Sequence, residues 1–189
     1  MSGQKQLITP GSGVVNALDP ATGREIWQVR YGEGYSVIPK PIFGHGLLFI
    51  ATGYNTPTVI AIRPEGAAGD VTDTHIVWTI KKAAPHTPSL LLVGHELYMV
   101  SDKGVATCVD ALTGSEHWQQ RIGGNYSSSP IFADGKIYLQ TEEGPAIVLA
   151  PGPSFNKLAD TGFKEHNLSS YAVGDNALFI RTEKHLYRV

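Results

Sequence analysis

The sequence has 189 residues but only one cysteine, Cys108, so the chain cannot form an intrachain disulfide. Cys108 lies in the apolar run VATCVDA. A reactive thiol needs basic, partly exposed surroundings, and this run indicates a buried, inert one. There is no excess of positive charge either, since 15 Lys and Arg against 17 Asp and Glu give a net charge of −2. The charge argues against nucleic acid or an anionic membrane surface as a partner.

Other features that would mark a function are also scarce. No apolar run reaches the length of a membrane-spanning segment, and the start MSGQKQLITP lacks the apolar core of a signal peptide. The seven histidines show neither His-x-His nor His-x-x-x-His spacing, so their pattern predicts no metal site. Asp70 and Asp73 offer too few oxygen ligands for calcium. We interpret residues 63–74, which contain them, as an exposed insertion between strands.

Glycine and proline are abundant, with 21 and 12 residues, and they fall between short runs rich in β-formers. Four alternating apolar runs are each broken by a short turn sequence that tolerates positive φ, which indicates hairpins. An aromatic residue follows each turn, and these aromatics recur about every 40 to 50 residues. They are Phe49, Tyr98, Tyr138 and Phe179. The chain is therefore predicted to contain repeated units of about that length.

A second repeated element is the pair LDPATGREIW (18–27) and VDALTGSEHW (109–118). In each, an Asp and a Thr can accept backbone N–H groups of a turn, and a Gly supplies a left-handed residue. A Trp then follows at a fixed distance on the next strand. We interpret the Trp residues as packing between units rather than stacking on a ligand. The structural motif comprises Asp19, Gly23, Trp27, Asp110, Gly114 and Trp118, with Trp78 as the tryptophan of the unit between them.

Four short strands, named A to D, fit each unit, and four-stranded units of this length are typical of β-propeller blades. The predicted fold is all-β, with about four blades of four antiparallel strands and no substantial helix. The predicted boundaries are strands B–D of a first blade in 1–31, full blades in 32–80, 81–121 and 122–165, and strands A–C of a last blade in 166–189.

The pattern Ala-x-Asp-x-x-Thr-Gly-x-x-x-Trp resembles the tryptophan-docking motif of the PQQ-like, quinoprotein-type β-propellers, and the chain is most similar to uncharacterised bacterial repeat proteins of that family. It occurs at 17–27 and, with Cys108 in place of Ala, at 108–118. The resemblance implies a ring of eight blades. The chain begins at a B strand and ends at a C strand, so we expect it to be the C-terminal half of a longer protein. The fourth Trp is missing, and the corresponding segment, 150–162, offers only Leu158.

The resemblance also bears on cofactors, because quinoprotein dehydrogenases of this superfamily hold PQQ beside a vicinal disulfide and a calcium ion. This sequence has no Cys-Cys pair and no obvious acidic cluster. No catalytic residue and no metal ligand is therefore assigned, and no cofactor is expected. PQQ and calcium would bind only if a missing half supplied the site.

Binding is expected where the B–C and D–A connections emerge, because variable loops on a rigid scaffold usually carry function. The candidate ligand-binding residues in these loops are Tyr35, Tyr54, Lys82, His86, Asn125 and Tyr126.

The function favoured is a non-catalytic propeller scaffold that binds a protein, a peptide or a small ligand on this loop-rich face. Two alternatives remain: a fragment of a PQQ-dependent alcohol or sugar dehydrogenase, and a sensor propeller linked to a membrane serine/threonine kinase. The resemblance implies a periplasmic or extracytoplasmic location. Open propeller edges would favour association, so a homodimer is a further expectation.

Overall fold

The computed structural model describes residues 5–189, and this part of the chain contains nineteen strands and one helix of four residues. The fold is all-β and consists of sheets that resemble propeller blades and are antiparallel apart from one strand pair of the first sheet, so the prediction of about four four-stranded blades is confirmed. No helix among these residues is long and apolar enough to span a membrane.

The strands, numbered in chain order, form five successive sheets. The first sheet contains β1 (Leu7–Pro10), β2 (Val14–Leu18), β3 (Glu25–Arg30) and β7 (Gly69–Asp70); the second contains β4 (Ile42–Gly44), β5 (Leu47–Ala51), β6 (Val59–Ile62) and β8 (Ile76–Ile80); the third contains β9 (Leu91–Val93), β10 (Glu96–Val100), β11 (Val105–Asp110) and β12 (Glu116–Arg121); the fourth contains β13 (Ile131–Ala133), β14 (Lys136–Gln140), β15 (Pro145–Leu149) and β16 (Lys157–Gly162); the fifth contains β17 (Ala172–Gly174), β18 (Ala177–Arg181) and β19 (Leu186–Arg188). The helix, α1 (Thr72–His75), lies directly before β8.

The insertion at 63–74 is not simply an exposed loop, which corrects the interpretation made from the sequence. Its strand β7 pairs with β3 in parallel, with Gly69 opposite Trp27 and Asp70 opposite Gln28. The Asp70 carboxylate lies 3.2 Å from the Arg30 guanidinium, and the side chain that follows it, Val71, is buried. The insertion therefore supplies the fourth strand of the first sheet.

Two-residue turns join the first two strands of sheets two to five. His45-Gly46, Asp134-Gly135 and Asp175-Asn176 have positive φ at both positions, which matches the twist of the flanking strands. The sequence predicts these hairpins from adjacent turn residues, and the structure has hairpins at the predicted positions.

Strands C and D of each of the first four sheets form a β-bulge at the same place, and in the first sheet these two strands are β2 and β3. Directly beyond the bulge, strand C of each of these sheets faces one particular residue of strand D. That residue is Trp27 in the first sheet, Trp78 in the second, Trp118 in the third and Ala159 in the fourth. Leu158, which the sequence suggested for this position, is the extra residue of the bulge and is 49% exposed.

The core lies between the sheets, because alternate side chains of one strand point to opposite neighbours. Leu48 and Ile50 pack with Val15 and Trp27 of the first sheet, whereas Phe49 packs towards the third sheet. A third cluster joins the third and fourth sheets around Tyr98 and Ile137.

A series of hydrogen bonds also connects the starts of the innermost strands. The amide of Lys40 donates to Ser89 Oγ (2.9 Å), the amide of Ser89 to Ser129 Oγ (3.0 Å), and the amide of Ser129 to Ser170 Oγ (2.8 Å). These three bonds run from blade to blade across sheets two to five, and they satisfy backbone donors that no strand partner reaches.

Candidate functional site

The candidate site lies at one end of the strands. In an antiparallel sheet A-B-C-D, the A–B and C–D turns lie at one end and the B–C and D–A connections at the other. We call this second end the loop face. All six residues selected from the sequence belong to connections at this end of the strands, which include 31–41, 52–58, 81–90, 101–104 and 122–130.

Three of these residues meet on the loop face and form what we call the aromatic array: Tyr35, Tyr54 and His86. The rings of Tyr35 and Tyr54 stack with centroids 5.9 Å apart, and the Tyr54 and His86 rings are 4.4 Å apart. Tyr35 and Tyr54 also exchange backbone hydrogen bonds, which joins the loop that precedes β4 to the loop between β5 and β6. Both tyrosines remain open to solvent, at 49% and 37% exposure.

The array is held by neighbours that the sequence did not single out. The Tyr35 hydroxyl donates to Asn55 Oδ1 at 2.8 Å, and the His86 ring lies 3.3 Å from the backbone oxygen of Asn55. Asp102 accepts the His86 amide at 2.7 Å, and its carboxylate lies 3.3 Å from His86 Nδ1. The array thus spans loops of two blades, and hydrogen bonds fix the Tyr35 and His86 side chains, which lowers the entropy cost of binding.

A cleft of about 460 Å³ opens beside the array, between the first and second sheets. Thr56 and Thr58, from the same loop as Tyr54, form one side of it, and Glu33 and Lys81 contribute charged groups. The loop face therefore presents flat aromatic surface next to a polar recess.

Asn125 lies in a separate polar cluster on the loop face. Its side-chain amide donates to Glu143 Oε1 at 2.6 Å, its backbone amide donates to Glu143 Oε2 at 3.1 Å, and Lys103 donates to its Oδ1 at 3.2 Å. The two bonds from Asn125, the backbone bond being the larger cause, hold the pKa of the Glu143 carboxyl below its usual value. Asn125 thus ties the B–C turns of the third and fourth blades together.

Tyr126 and Lys82 do not belong to the array, and the expectation that Tyr126 lies on the exposed loop face is wrong. Tyr126 is fully buried in the cluster between the third and fourth sheets, and burial raises the pKa of its hydroxyl. That hydroxyl has no hydrogen-bond partner among the described residues. Lys82 is exposed, and its Nζ lies 3.9 Å from Glu116 Oε2, in a pair too open to solvent to contribute much.

At the other end of the strands, the structural motif forms a compact turn. Asp110 Oδ1 accepts the amides of Leu112 and Thr113 and the Thr113 hydroxyl, and the hydroxyl contributes most to the lowered pKa of the Asp110 carboxyl. Asp19 accepts the amides of Ala21 and Thr22 in the same way. Gly23 and Gly114 both adopt left-handed conformations, with φ of 71° and 72°.

The tryptophans of the second and third blades reach the next blade. Trp78 Nε1 donates to the backbone oxygen of Ala111 at 3.1 Å, and Trp118 Nε1 donates to that of Gly152 at 3.2 Å. Trp27 is completely buried, and its Nε1 donates to Gln6 Oε1. These side chains are part of the framework and are not available to a ligand on the loop face.

A further titratable cluster surrounds Glu165 near the end of the chain. Its carboxylate accepts the Thr182 and Tyr187 hydroxyls and lies 2.9 Å from His185 Nδ1, and the bond from Thr182 is the largest cause that lowers the pKa of Glu165 to about 2. Four side chains thereby brace the fifth sheet's last turn, so we interpret this cluster as structural.

The residues do not fit the quinone site that the superfamily would imply. Cys108 is fully buried, with its thiol 3.8 Å from the Gly152 oxygen, and burial raises the pKa of the thiol to about 12. Within residues 5–189, no three His, Cys, Asp or Glu side chains are grouped so that they could hold a metal ion.

Comparison with known proteins places the fold in a family. The family model described as outer membrane protein assembly factor BamB matches residues 11–68 and 67–157. No curated protein matches this chain.

Several solved structures are similar in fold. The computationally designed Ika8 protein matches 100% of this chain and 56% of its own length, with a TM-score of 0.74 and 12% identity. BamB from Moraxella catarrhalis matches 96% of this chain and 65% of its own, with a TM-score of 0.50 and 16% identity. A europium-containing methanol dehydrogenase matches 64% of this chain and 23% of its own, with a TM-score of 0.50 and 15% identity. The chain thus spans less than two thirds of each of these proteins, and such identities show the fold alone.

Proposed function

The chain belongs to the PQQ-repeat β-propeller family described as outer membrane protein assembly factor BamB, and from this premise we propose that it is a non-catalytic scaffold that binds another protein through its loop face. The observation that carries the proposal is the aromatic array, in which Tyr35, Tyr54 and His86 lie side by side at the surface.

The chemistry of the array favours a protein partner over a small molecule. Tyrosine is enriched at the centres of protein interfaces, where its ring supplies apolar area and its hydroxyl a hydrogen bond. Tyr35 and Tyr54 present ring surface outwards rather than into an enclosed pocket, and Ile38, in the same loop as Tyr35, adds an apolar side chain that is 56% exposed. Flat apolar surface of this kind suits a complementary protein surface better than a ligand that must be enclosed.

The family supports the proposal in a second way. Its description names an assembly factor, an activity that works through contact with other proteins. For this chain we extend the proposal to a protein partner outside the cytoplasm, as expected for a propeller of that family.

Site-specific photo-crosslinking in the organism that produces the protein tests the proposal. A photoreactive phenylalanine analogue in place of Tyr54 is expected to give one dominant protein adduct. Leu112, 44% exposed in a C–D turn at the opposite end of the strands, is the matched control position and should not give that adduct. The same adduct at both positions, or none at Tyr54, contradicts the proposal.

Binding of the partner identified in that adduct, purified and titrated against the chain, supplies the quantitative test. Replacing both Tyr35 and Tyr54 by alanine should weaken binding by about 30-fold or more, as expected for interface hot spots. Leu112→Ala should leave the affinity unchanged. An affinity that survives the double substitution rules out the array as the interface.

A further inference from the structure

The cleft between the first and second sheets contains two charged groups of opposite sign. Glu33 belongs to the connection that follows β3 of the first sheet, and Lys81 directly follows β8 of the second sheet. Neither side chain forms a salt bridge within residues 5–189. All residues that line the cleft lie between positions 31 and 81, in two adjacent sheets in the interior of the chain. The cleft therefore offers one negative and one positive group to a ligand.

Three threonine hydroxyls supply neutral hydrogen-bonding groups in the same cleft. Thr56 and Thr58 lie between β5 and β6, and Thr79 lies in β8. Trp78 and Ile80 of β8 pack towards the third sheet, so Thr79 between them points the opposite way, towards the first sheet. A hydroxyl can donate to a carboxylate or accept from an ammonium group, so these residues suit a charged ligand.

An apolar wall completes the cleft and is formed by Tyr31, Ile60 and Ile76. All three belong to the hydrophobic cluster between the first and second sheets or pack against it. The Tyr31 hydroxyl donates to the backbone oxygen of Gly11, and a Cβ on Gly34 would lie 3.0 Å from Tyr31 Cε2, so the ring is held in place on two sides. Burial raises the pKa of the Tyr31 hydroxyl, so the ring adds no charge to the cleft.

The size and the charges of the cleft limit the ligands that fit it. Its volume of about 460 Å³ lies within the range of about 300–1,000 Å³ that ligand pockets occupy. A ligand with a single charge would be attracted by one of the two charged side chains and repelled by the other. An uncharged ligand would leave both without a charged partner. A molecule with one ammonium and one carboxylate group matches both, and charge-assisted hydrogen bonds are the stronger ones.

We propose that the cleft is a binding site for a small zwitterion with an apolar side chain, which is a free amino acid or a dipeptide. The ligand's ammonium group binds Glu33 and its carboxylate binds Lys81, while its side chain packs on the wall that contains Tyr31. The threonine hydroxyls satisfy the remaining hydrogen bonds of the two charged groups. This site goes beyond the proposed function, because a ligand in the cleft requires no protein partner on the aromatic array.

The probes are L-leucine and the dipeptide leucyl-leucine, which differ in the distance between their two charges. At least one of them, titrated into the isotopically labelled chain, should shift the amide resonances of Thr58, Thr79 and Lys81 in a saturable way, with a Kd of about 1 mM or lower. N-acetyl-L-leucinamide has the same side chain but neither charge, and it should bind at least about tenfold more weakly. Saturation by neither probe, shifts confined to other residues, or equal binding of the uncharged compound overturns the proposal.

Two neighbouring lysines provide a matched pair of variants. Lys81→Gln removes the positive charge of the cleft and should weaken binding of the tighter probe by about fivefold or more. Lys82→Gln removes the same charge one residue later, where the side chain lies near Glu116 and does not line the cleft, and should leave binding unchanged. Both lysines are exposed, so neither change should disturb the fold. Equal effects of the two substitutions overturn the assignment. The titrations contain no second protein, so their outcome is separate from the crosslinking test of the aromatic array.

Discussion

At the scale of single residues, the tryptophans show how one side chain can join two blades. Trp118 packs edge-on against Phe155 at 5.2 Å and places its N–H on the oxygen of Gly152, both in the segment between β15 and β16. Its ring also contacts Tyr98 of its own blade. The apolar ring and the polar N–H thus both find partners, which buried tryptophans require.

Trp118→Ala is expected to lower the free energy of unfolding by about 3 kcal/mol, because the ring's contacts and its hydrogen bond to Gly152 are lost together. Urea denaturation measures the change. The control is His117→Ala, since His117 is the exposed bulge residue next to Trp118, and its replacement should cost less than about 0.5 kcal/mol. Similar losses for both variants would mean that Trp118 does not join the blades.

At the scale of elements, the C–D turns of the first and third blades have the same backbone but different neighbours. Gly23 and Gly114 both have a left-handed φ. In each turn the glycine amide donates a hydrogen bond to the backbone oxygen of the Asp four residues earlier. A Cβ on Gly23 would meet nothing within 4 Å, whereas a Cβ on Gly114 would lie 2.8 Å from Trp78 Cδ2. Backbone conformation requires the first glycine, and both conformation and close packing require the second.

Alanine substitutions at Gly23 and Gly114 distinguish the energetic cost of backbone strain from the cost of overpacking. Gly23→Ala should cost about 1–2 kcal/mol, the penalty for alanine in the left-handed region. Gly114→Ala should cost about 1–3 kcal/mol more, because the new methyl group overpacks the site against Trp78. Chemical denaturation of both variants is the measurement. In a Trp78→Ala background the two costs should become equal, and a difference that persists there would point to a cause other than the Trp78 ring.

At the scale of the whole molecule, the sheets are stacked side by side with side chains of each strand shared between two neighbours. Leu48 and Ile50 face the first sheet and Phe49 faces the third, so the second sheet is buried on both sides. The bonds between Ser89, Ser129 and their neighbours add a polar connection along the inner strands. Function is therefore expected where the loops leave this rigid stack, at the loop face.

The single buried cysteine leads to a prediction about redox chemistry. Purified protein mixed with PQQ and calcium should give no quinone-dependent dye reduction with alcohols or aldose sugars, because the single cysteine is buried and has no vicinal partner. A known quinoprotein dehydrogenase run in parallel shows that the assay works. Turnover by this chain that a chelator abolishes would make the dehydrogenase function the better one.

The candidate site was predictable in part. Loop position alone selected Tyr35, Tyr54 and His86, which the structure brings together, because each follows or precedes a recognisable strand. The same reasoning misplaced Tyr126, since an isolated tyrosine in a loop gives no sign that strands of two sheets will enclose it. Asp102 was missed because its role depends on a contact with a residue of another connection, which sequence spacing does not report.

The sequence by itself determined the repeat, the two-residue hairpin turns and the Asp-x-x-Thr-Gly turns, because these depend on local backbone preferences and on hydrogen bonds between residues close in the chain. Tertiary structure alone decided which residue of the fourth sheet takes the tryptophan position and where the insertion goes. The bulge shifts the register by one residue, so Ala159 rather than Leu158 takes the tryptophan position, and β7 pairs with a strand about 40 residues earlier. Both outcomes depend on backbone pairing between distant segments, and such pairing is fixed only when the sheets assemble.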